Sequence, residues 1–197
     1  PPWRPDEHER DRWCRLLRFY GIPADPADLA LPPPAVPSPA PGAVVLHPGA
    51  GSPARRWPAE RSATVARRLL ARGQPVVVTG GPGEDALVAR ATVPGARALT
   101  GGLPFPELSA LVAGARAVVS GDTGIAHLAV AHGTPSVTLF GPVAPSLWGP
   151  PRSPRHRALW HPGPPGDPHA DRPDALLLRI GADDVLGALT DLEAVPA

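Results

Sequence analysis

Four short strings in this sequence combine glycine with charged or hydroxylated side chains, and chemistry is most readily built there. The first is His47-Pro48-Gly49-Ala50-Gly51-Ser52, followed by Arg55-Arg56-Trp57-Pro58. Gly49 and Gly51 let a backbone approach a ligand closely. Pro58 suits the first turn of a helix, and a helix N-terminus favours an anion. Arg55 and Arg56 beside that turn are placed to clamp a diphosphate. The second string is Gly80-Gly81-Pro82-Gly83-Glu84-Asp85. Here Gly80 and Gly81 open the backbone. Glu84 either accepts hydrogen bonds from ribose hydroxyls or only stabilises the next helix with its charge, and for Asp85 the helix role is favoured.

The third string is the sharpest: Ser120-Gly121-Asp122-Thr123-Gly124-Ile125-Ala126-His127. Asp122 and Thr123 fall at a strand-to-helix turn, where the first helical N–H groups lack partners inside the helix and can point at a phosphate. His127 follows Gly124 by about one helical turn and can face the same pocket. The plainer reading makes Asp122 an N-cap and His127 a satisfied helix histidine, with the capping role expected in either case. The fourth string runs from Phe140-Gly141-Pro142 to Trp148-Gly149-Pro150-Pro151. It reads as a stiff wall over a crevice, with Trp148 packing.

The elements that must position these strings alternate regularly. Apolar, β-branched runs at Ala43–Leu46, Pro75–Thr79, Ala117–Ser120 and Ser136–Phe140, with a weaker one at Ala96–Leu99, read as buried strands. Between them Pro58–Arg72, Glu84–Ala91, Phe105–Ala113 and Ile125–His132 read as amphipathic helices, and a last helix runs from Asp183-Asp184 to about Leu192. Continuous apolar strands separated by helices imply an α/β, Rossmann-like parallel sheet with helices on both faces. All four strings then fall just after a strand, where such sheets bind ligands. Pro142–Pro173 is expected to be irregular. Residues 1–42 read as an N-terminal helix, Asp6–Tyr20 with Trp13, Leu16, Leu17 and Tyr20 on one face, followed by a Pro-rich interdomain linker. Residues 43–197 read as the ligand-binding domain.

Composition narrows the classes. The formal net charge is +1, which gives no field directed at nucleic acid. Cys14 is the one cysteine, so no internal disulfide framework is expected. There is no run of about 18 apolar residues and no signal-peptide pattern, so a cytoplasmic chain without a transmembrane segment is expected. The chain has no methionine, and we expect Pro1 to lie inside a longer protein. Hydrolase (Gly-x-Ser-x-Gly), Walker-type and strict Gly-x-Gly-x-x-Gly signatures are absent. So is an Asp-x-Asp pair, and a metal site among His156, His161 and His169 is not expected.

His47-Pro48-Gly49-Ala50-Gly51, Arg56-Trp57-Pro58, Thr79-Gly80-Gly81-Pro82-Gly83-Glu84, Leu99-Thr100-Gly101, Gly121-Asp122-Thr123-Gly124 with His127, and Phe140-Gly141-Pro142 together resemble, in order and spacing, the C-terminal domain of glycosyltransferase family 9. That family includes the heptosyltransferases of lipopolysaccharide inner-core synthesis. The resemblance covers about residues 43 to 151. It implies a GT-B fold of two facing Rossmann-like domains, the C-terminal one binding a nucleotide sugar such as ADP-heptose and the N-terminal one a lipopolysaccharide-like or other glycan acceptor. Transfer would proceed with inversion and without a cofactor or metal.

The same resemblance implies that Asp122 meets the donor's sugar, and that Thr123, Gly124 and His127 surround its diphosphate. It puts Arg55 where relatives carry a lysine on the phosphates, with Arg56 next to it. Glu84 would hold the adenosine ribose, and Leu99 to Leu103 would border the adenine. The catalytic base would belong to the N-terminal domain, so this chain is expected to bind donor without transferring sugar. Location at the inner face of the cell membrane is expected by analogy. A GT-B-like nucleotide-sugar epimerase, a nicotinamide-dependent oxidoreductase and a non-catalytic nucleotide-binding module are the alternatives.

Overall fold

Apolar β-branched runs are stable as strands only where both faces are covered, and this chain builds one sheet from them. The computed structural model describes residues 1–195. In chain order its elements are α1 (Glu9–Phe19), β1 (Val44–His47), α2 (Ala59–Ala71), β2 (Val76–Thr79), α3 (Asp85–Ala91), β3 (Arg97–Leu99), α4 (Phe105–Ala113), β4 (Ala117–Gly121), α5 (Gly124–Ala131), β5 (Ser136–Leu139), α6 (Pro145–Trp148), β6 (His156–Leu159) and α7 (Ala182–Glu193). Neighbouring strands pair in parallel in the order β3-β2-β1-β4-β5-β6. This is the Rossmann-like α/β architecture that the alternation implies.

The period of two along each strand sorts side chains to the two faces. Val44, Leu46, Val76, Val78 and Val119 face one way and form a core with α2, α3 and α7. Val45, Val77 and Val118 face the other and pack on Leu111 and Val112 of α4 and on Ile125, Leu128 and Ala129 of α5. Helix α2 shows how local signals cooperate. Pro58 precedes it, Glu60 sits in its first turn, and Ala59, Ser62, Ala63, Val65, Ala66 and Leu69 form its buried stripe. Gly73, at φ 74°, takes the left-handed turn that ends it.

Two expectations need correction. The stretch expected to be irregular contains β6, which extends the sheet beyond β5. An edge strand needs only one covered side, so His156-Arg157-Ala158-Leu159 can pair without an apolar run. The same stretch also holds the short helix α6. The apolar residues read on one face of α1 are largely exposed within the described chain. Trp13 is 58% exposed and Tyr20 70%, while the buried residue of that helix is Arg12. The Pro-rich segment after α1 forms neither helix nor strand, as Pro-rich composition dictates, yet it is tied down. Leu31 N–H donates to the Ala131 carbonyl (3.0 Å), and Gly42 N–H to that of Gly114 (2.8 Å).

Candidate functional site

The chain leaves β1 and β4 in opposite directions along the sheet, which makes the gap between their carboxyl ends the topological switch point. The loop after β1 is held rigidly there. Ser52 accepts from Ala54 N–H and donates to the Ala170 carbonyl, and Asp174 N–H donates to the Ala54 carbonyl. The resulting turn, Pro53–Arg55, is followed by Trp57, which is 3% exposed and donates its indole N–H to Ile180 (3.0 Å). The β4 loop lies so close that a Cβ on Gly121 would stand 2.7 Å from the Arg55 carbonyl. Only a glycine fits at that crossing.

Within this frame the two arginines separate. Arg55 reaches across the switch point: its Nη1 donates to the Asp122 carbonyl at 3.3 Å and lies 3.8 Å from Asp122 Oδ2. Its buried Nε has no acceptor among the described residues. Arg56 turns the other way, donating Nε–H to the Ala50 carbonyl (3.0 Å), with Nη2 3.5 Å from Glu84 Oε1. One faces Asp122 and the other braces the β1 loop.

Asp122 is 6% exposed, with Arg55 at 3.8 Å and His127 Nε2 at 3.9 Å, both beyond hydrogen-bond length. Burial pushes its carboxyl above the ordinary aspartate range, while His127 and Arg55 pull it back. Partial burial likewise holds His127 below the usual imidazole value, opposed by Asp122. The expected capping role of Asp122 fails. The N-cap of α5 is Thr123, in extended conformation, and its side chain makes no capping bond either. The reason is geometric: the cap position falls one residue later, so Asp122, between the end of β4 and the cap, faces Arg55 and His127. A Cβ on Gly124 would meet nothing within 4 Å, so the N-terminus of α5 opens on free space. Trp148, read as a packing residue, is 40% exposed and stands with its ring 6.2 Å from that of His127.

A second cluster forms between the β1 and β2 loops. Glu84 precedes α3 without capping it. Its Oε1 accepts from Ala50 N–H (3.1 Å) and its Oε2 from Gly81 N–H (2.8 Å). Gly49 makes room for this carboxylate, since a Cβ there would lie 2.5 Å from Glu84 Cδ, whereas a Cβ on Gly80 would press first on Val88 Cγ2 of α3 at 2.7 Å. His47 lies within reach of the Glu84 charge, and burial lowers its affinity for a proton. Asp85 does more than charge its helix, since Oδ1 accepts from Gly101 N–H at 2.7 Å and fixes the loop after β3. Leu103, beyond that loop, is half-buried against the core that contains Leu111.

Arg55, Asp122, Thr123, Gly124 and His127 thus meet at the switch point, and Arg56, Glu84, Gly49, Gly80 and Gly81 meet beside it. Gly51 lies between, 3.6 Å from Arg55 Nη2 if it bore a Cβ. Ser52 and Trp148 complete the frame. In the sequence the string holding Trp148 reads as a wall over the crevice, whereas the role of Ser52 is not legible because its partner Ala170 lies 118 positions away. Among the described residues no group of three His, Cys, Asp or Glu side chains could hold a metal ion, and no helix is long and apolar enough to cross a membrane. A cavity of about 320 Å³ beside Arg116, Arg155 and Glu193 lies at the amino ends of β1 and β4, away from these loops.

A parallel sheet carrying a charged, glycine-lined switch point is a Rossmann-like α/β unit, the class of fold in which ligands are held at that point. Residues 29–176 match the family model described as glycosyltransferase family 9 (heptosyltransferase), and the chain belongs to that family. It is 33% identical over 158 residues to lipopolysaccharide heptosyltransferase 3 of Escherichia coli, an alignment covering 76% of this chain and 46% of the relative. The fold is similar to that of E. coli ADP-heptose lipopolysaccharide heptosyltransferase II (TM-score 0.68, 23% identity, 93% of this chain and 51% of that one). It is also similar to that of E. coli heptosyltransferase WaaC solved with ADP (TM-score 0.64, 22% identity, 80% and 46%). The chain therefore spans about half the length of these proteins.

Proposed function

We propose that this chain is the donor-binding half of an inverting glycosyltransferase that transfers heptose from ADP-heptose to a lipopolysaccharide-like or other glycan acceptor. The observation that carries the reading is the meeting of Arg55, Asp122 and His127 at the open N-terminus of α5. That set offers a guanidinium, an imidazole and helical N–H groups to a diphosphate, and an incompletely paired carboxylate to sugar hydroxyls. Glu84 lies on the adenosine side. Its Oε1 is taken up by Ala50 N–H and Arg56, while Oε2 accepts Gly81 N–H and keeps a further lone pair for a ribose hydroxyl. The heptosyltransferase likeness and the ADP held by one structural relative support the choice of nucleotide.

In the transfer step the acceptor oxygen attacks the anomeric carbon, the bond from that carbon to the diphosphate breaks, and ADP leaves. Arg55, His127 and the α5 N–H groups stabilise the charge that develops on the leaving group, the role a metal fills in other designs. The acceptor's proton must go to a base. We assign that base to an acceptor-binding half that this chain does not supply, so this chain by itself binds donor and leaves it intact. No bound cofactor enters the scheme.

Calorimetric titration with ADP, GDP, UDP, NAD and ADP-heptose tests the reading. Preference for ADP and ADP-heptose is the expected result. Preference for UDP or GDP would change the donor, and preference for NAD or no binding at all would overturn the proposal. Turnover of free ADP-heptose would place the chain with the nucleotide-sugar epimerases instead.

A further inference from the structure

His8, immediately before α1, uses both of its ring nitrogens. Nδ1 accepts the backbone N–H of Arg10 at 3.2 Å, so the ring proton sits on Nε2, and Nε2 donates to the Gly149 carbonyl at 3.0 Å. The second bond joins residues 141 positions apart. Gly149 closes the tight turn formed by α6: its own N–H returns to the Pro145 carbonyl at 2.7 Å, and a Cβ there would lie 3.0 Å from Pro145 C. The residue before it, Trp148, sets its ring 6.2 Å from the His127 ring, with 51° between the planes. That distance falls within the range of aromatic contact. One continuous series of contacts therefore runs from the first turn of α1 through Gly149 and Trp148 to His127. A groove of about 540 Å³ is lined by His8, Trp148, Gly149 and His127 together, and its rim includes Gly124 at the start of α5.

We propose that His8 is a positioning residue: by bridging α1 to the Gly149 carbonyl it holds the α6 turn so that Trp148 stands against His127 beside the donor site. Its effect on ligand affinity rests on the donor-binding reading above. Its effect on Trp148 and His127 does not. The competing role for His8 is that of a helix cap alone, exercised through Nδ1. The two roles use different nitrogens and can be separated. Asparagine places a carbonyl oxygen where Nδ1 lies and keeps the cap, but it is too short to reach Gly149. Glutamine places an amide nitrogen where Nε2 lies and keeps the bridge, but it caps poorly.

The test compares wild type, His8→Asn and His8→Gln. Indole and imidazole ¹H–¹⁵N signals are recorded on the ligand-free chain, with Trp148 and His127 assigned from Trp148→Phe and His127→Gln spectra, and ADP-heptose is titrated by calorimetry. The expected result is that His8→Gln keeps the Trp148 and His127 signals in place, whereas His8→Asn displaces both. Affinity for ADP-heptose should fall about three- to tenfold in His8→Asn, the scale set by one neutral hydrogen bond, and stay near wild type in His8→Gln. The reverse pattern, or equal behaviour of the two variants, overturns the proposal. If wild type binds no nucleotide sugar, the donor reading fails, and the ligand-free spectra still decide the role of His8.

Discussion

Replacing Gly49 with alanine isolates the contact that closes the β1 and β2 loops on each other. The three nearest atoms to the added methyl all belong to the Glu84 carboxyl group, with Cδ at 2.5 Å and Oε1 at 2.7 Å. Gly49 is not among the glycines with positive φ, so alanine meets no backbone strain and the whole effect passes through Glu84. The carboxylate has to leave, and its bonds from Ala50 N–H and Gly81 N–H go with it. Hydrogen bonds to a charged group contribute about 1.5–3 kcal/mol each. The freed side chain is 14% exposed at the start and regains water, so the net loss should fall below the summed range of about 3–6 kcal/mol, to about 2–3 kcal/mol. In a domain of this size that lowers Tm by about 4–12 °C. The assay is urea unfolding of Gly49→Ala, Glu84→Ala and the double variant. Without the Glu84 carboxyl the methyl has space, so Gly49→Ala should cost less than about 0.5 kcal/mol in that background. An equal cost in both backgrounds would refute the reasoning, because the clash would then lie elsewhere.

Arg55→Ala should weaken ADP binding by about ten- to a hundredfold, and Arg55→Lys should recover only part of it, since a point charge cannot reproduce the guanidinium fork; full recovery by lysine in calorimetry would contradict this. Asp122→Ala should weaken ADP-heptose binding more than ADP binding, and equal losses would remove Asp122 from the sugar. His127 has a folded pKa below its unfolded value of about 6.5, so its neutral form contributes stability that is complete above that value and is lost as pH falls through the folded pKa. A bound diphosphate favours the imidazolium and raises that pKa, so ADP-heptose affinity should increase as pH falls below about 6.5, and His127→Gln should flatten the profile.

The sheet was legible where the pattern was strong. Val44–His47, Val76–Thr79 and Ala117–Gly121 are buried on both faces, so continuous apolar runs betray them. His156–Leu159 borders solvent and carries a histidine and an arginine, which hides it. The loops were legible as the glycine-rich turns after the strands that carry the candidate residues, but the partner each side chain takes was not. Which of two adjacent arginines faces Asp122 depends on the turn at Pro53–Arg55, and that turn is set by Ala170 and Asp174, more than a hundred positions away. The Glu84 bond to Ala50 spans 34 positions and is likewise invisible to local pattern. The outward face of α1 has the opposite cause: its spacing is amphipathic, yet nothing in the described chain covers Trp13 and Tyr20.

The two clusters differ in how far their polar groups are already committed, and that difference bears on the ligand. Glu84 is satisfied by backbone N–H groups and acts first as a brace. Asp122 is more deeply buried than Glu84, yet its charged neighbours stay at 3.8 and 3.9 Å, and burial resists its ionisation. On the facing loop the Arg55 Nε has no acceptor among the described residues, and the Thr123 side chain makes no capping bond at the start of α5. A buried group without its partner costs free energy in the empty protein, and that cost is recovered when a ligand supplies the partner. Asp122 calls for hydroxyl donors, whereas Arg55 and the α5 N–H groups call for anionic oxygens. A lone phosphate answers only the second need and a neutral sugar only the first. A molecule carrying a hydroxylated ring on a diphosphate answers both within one span, which supports the proposed nucleotide sugar, whose ribose is assigned to Glu84 and whose second ring is left for Asp122.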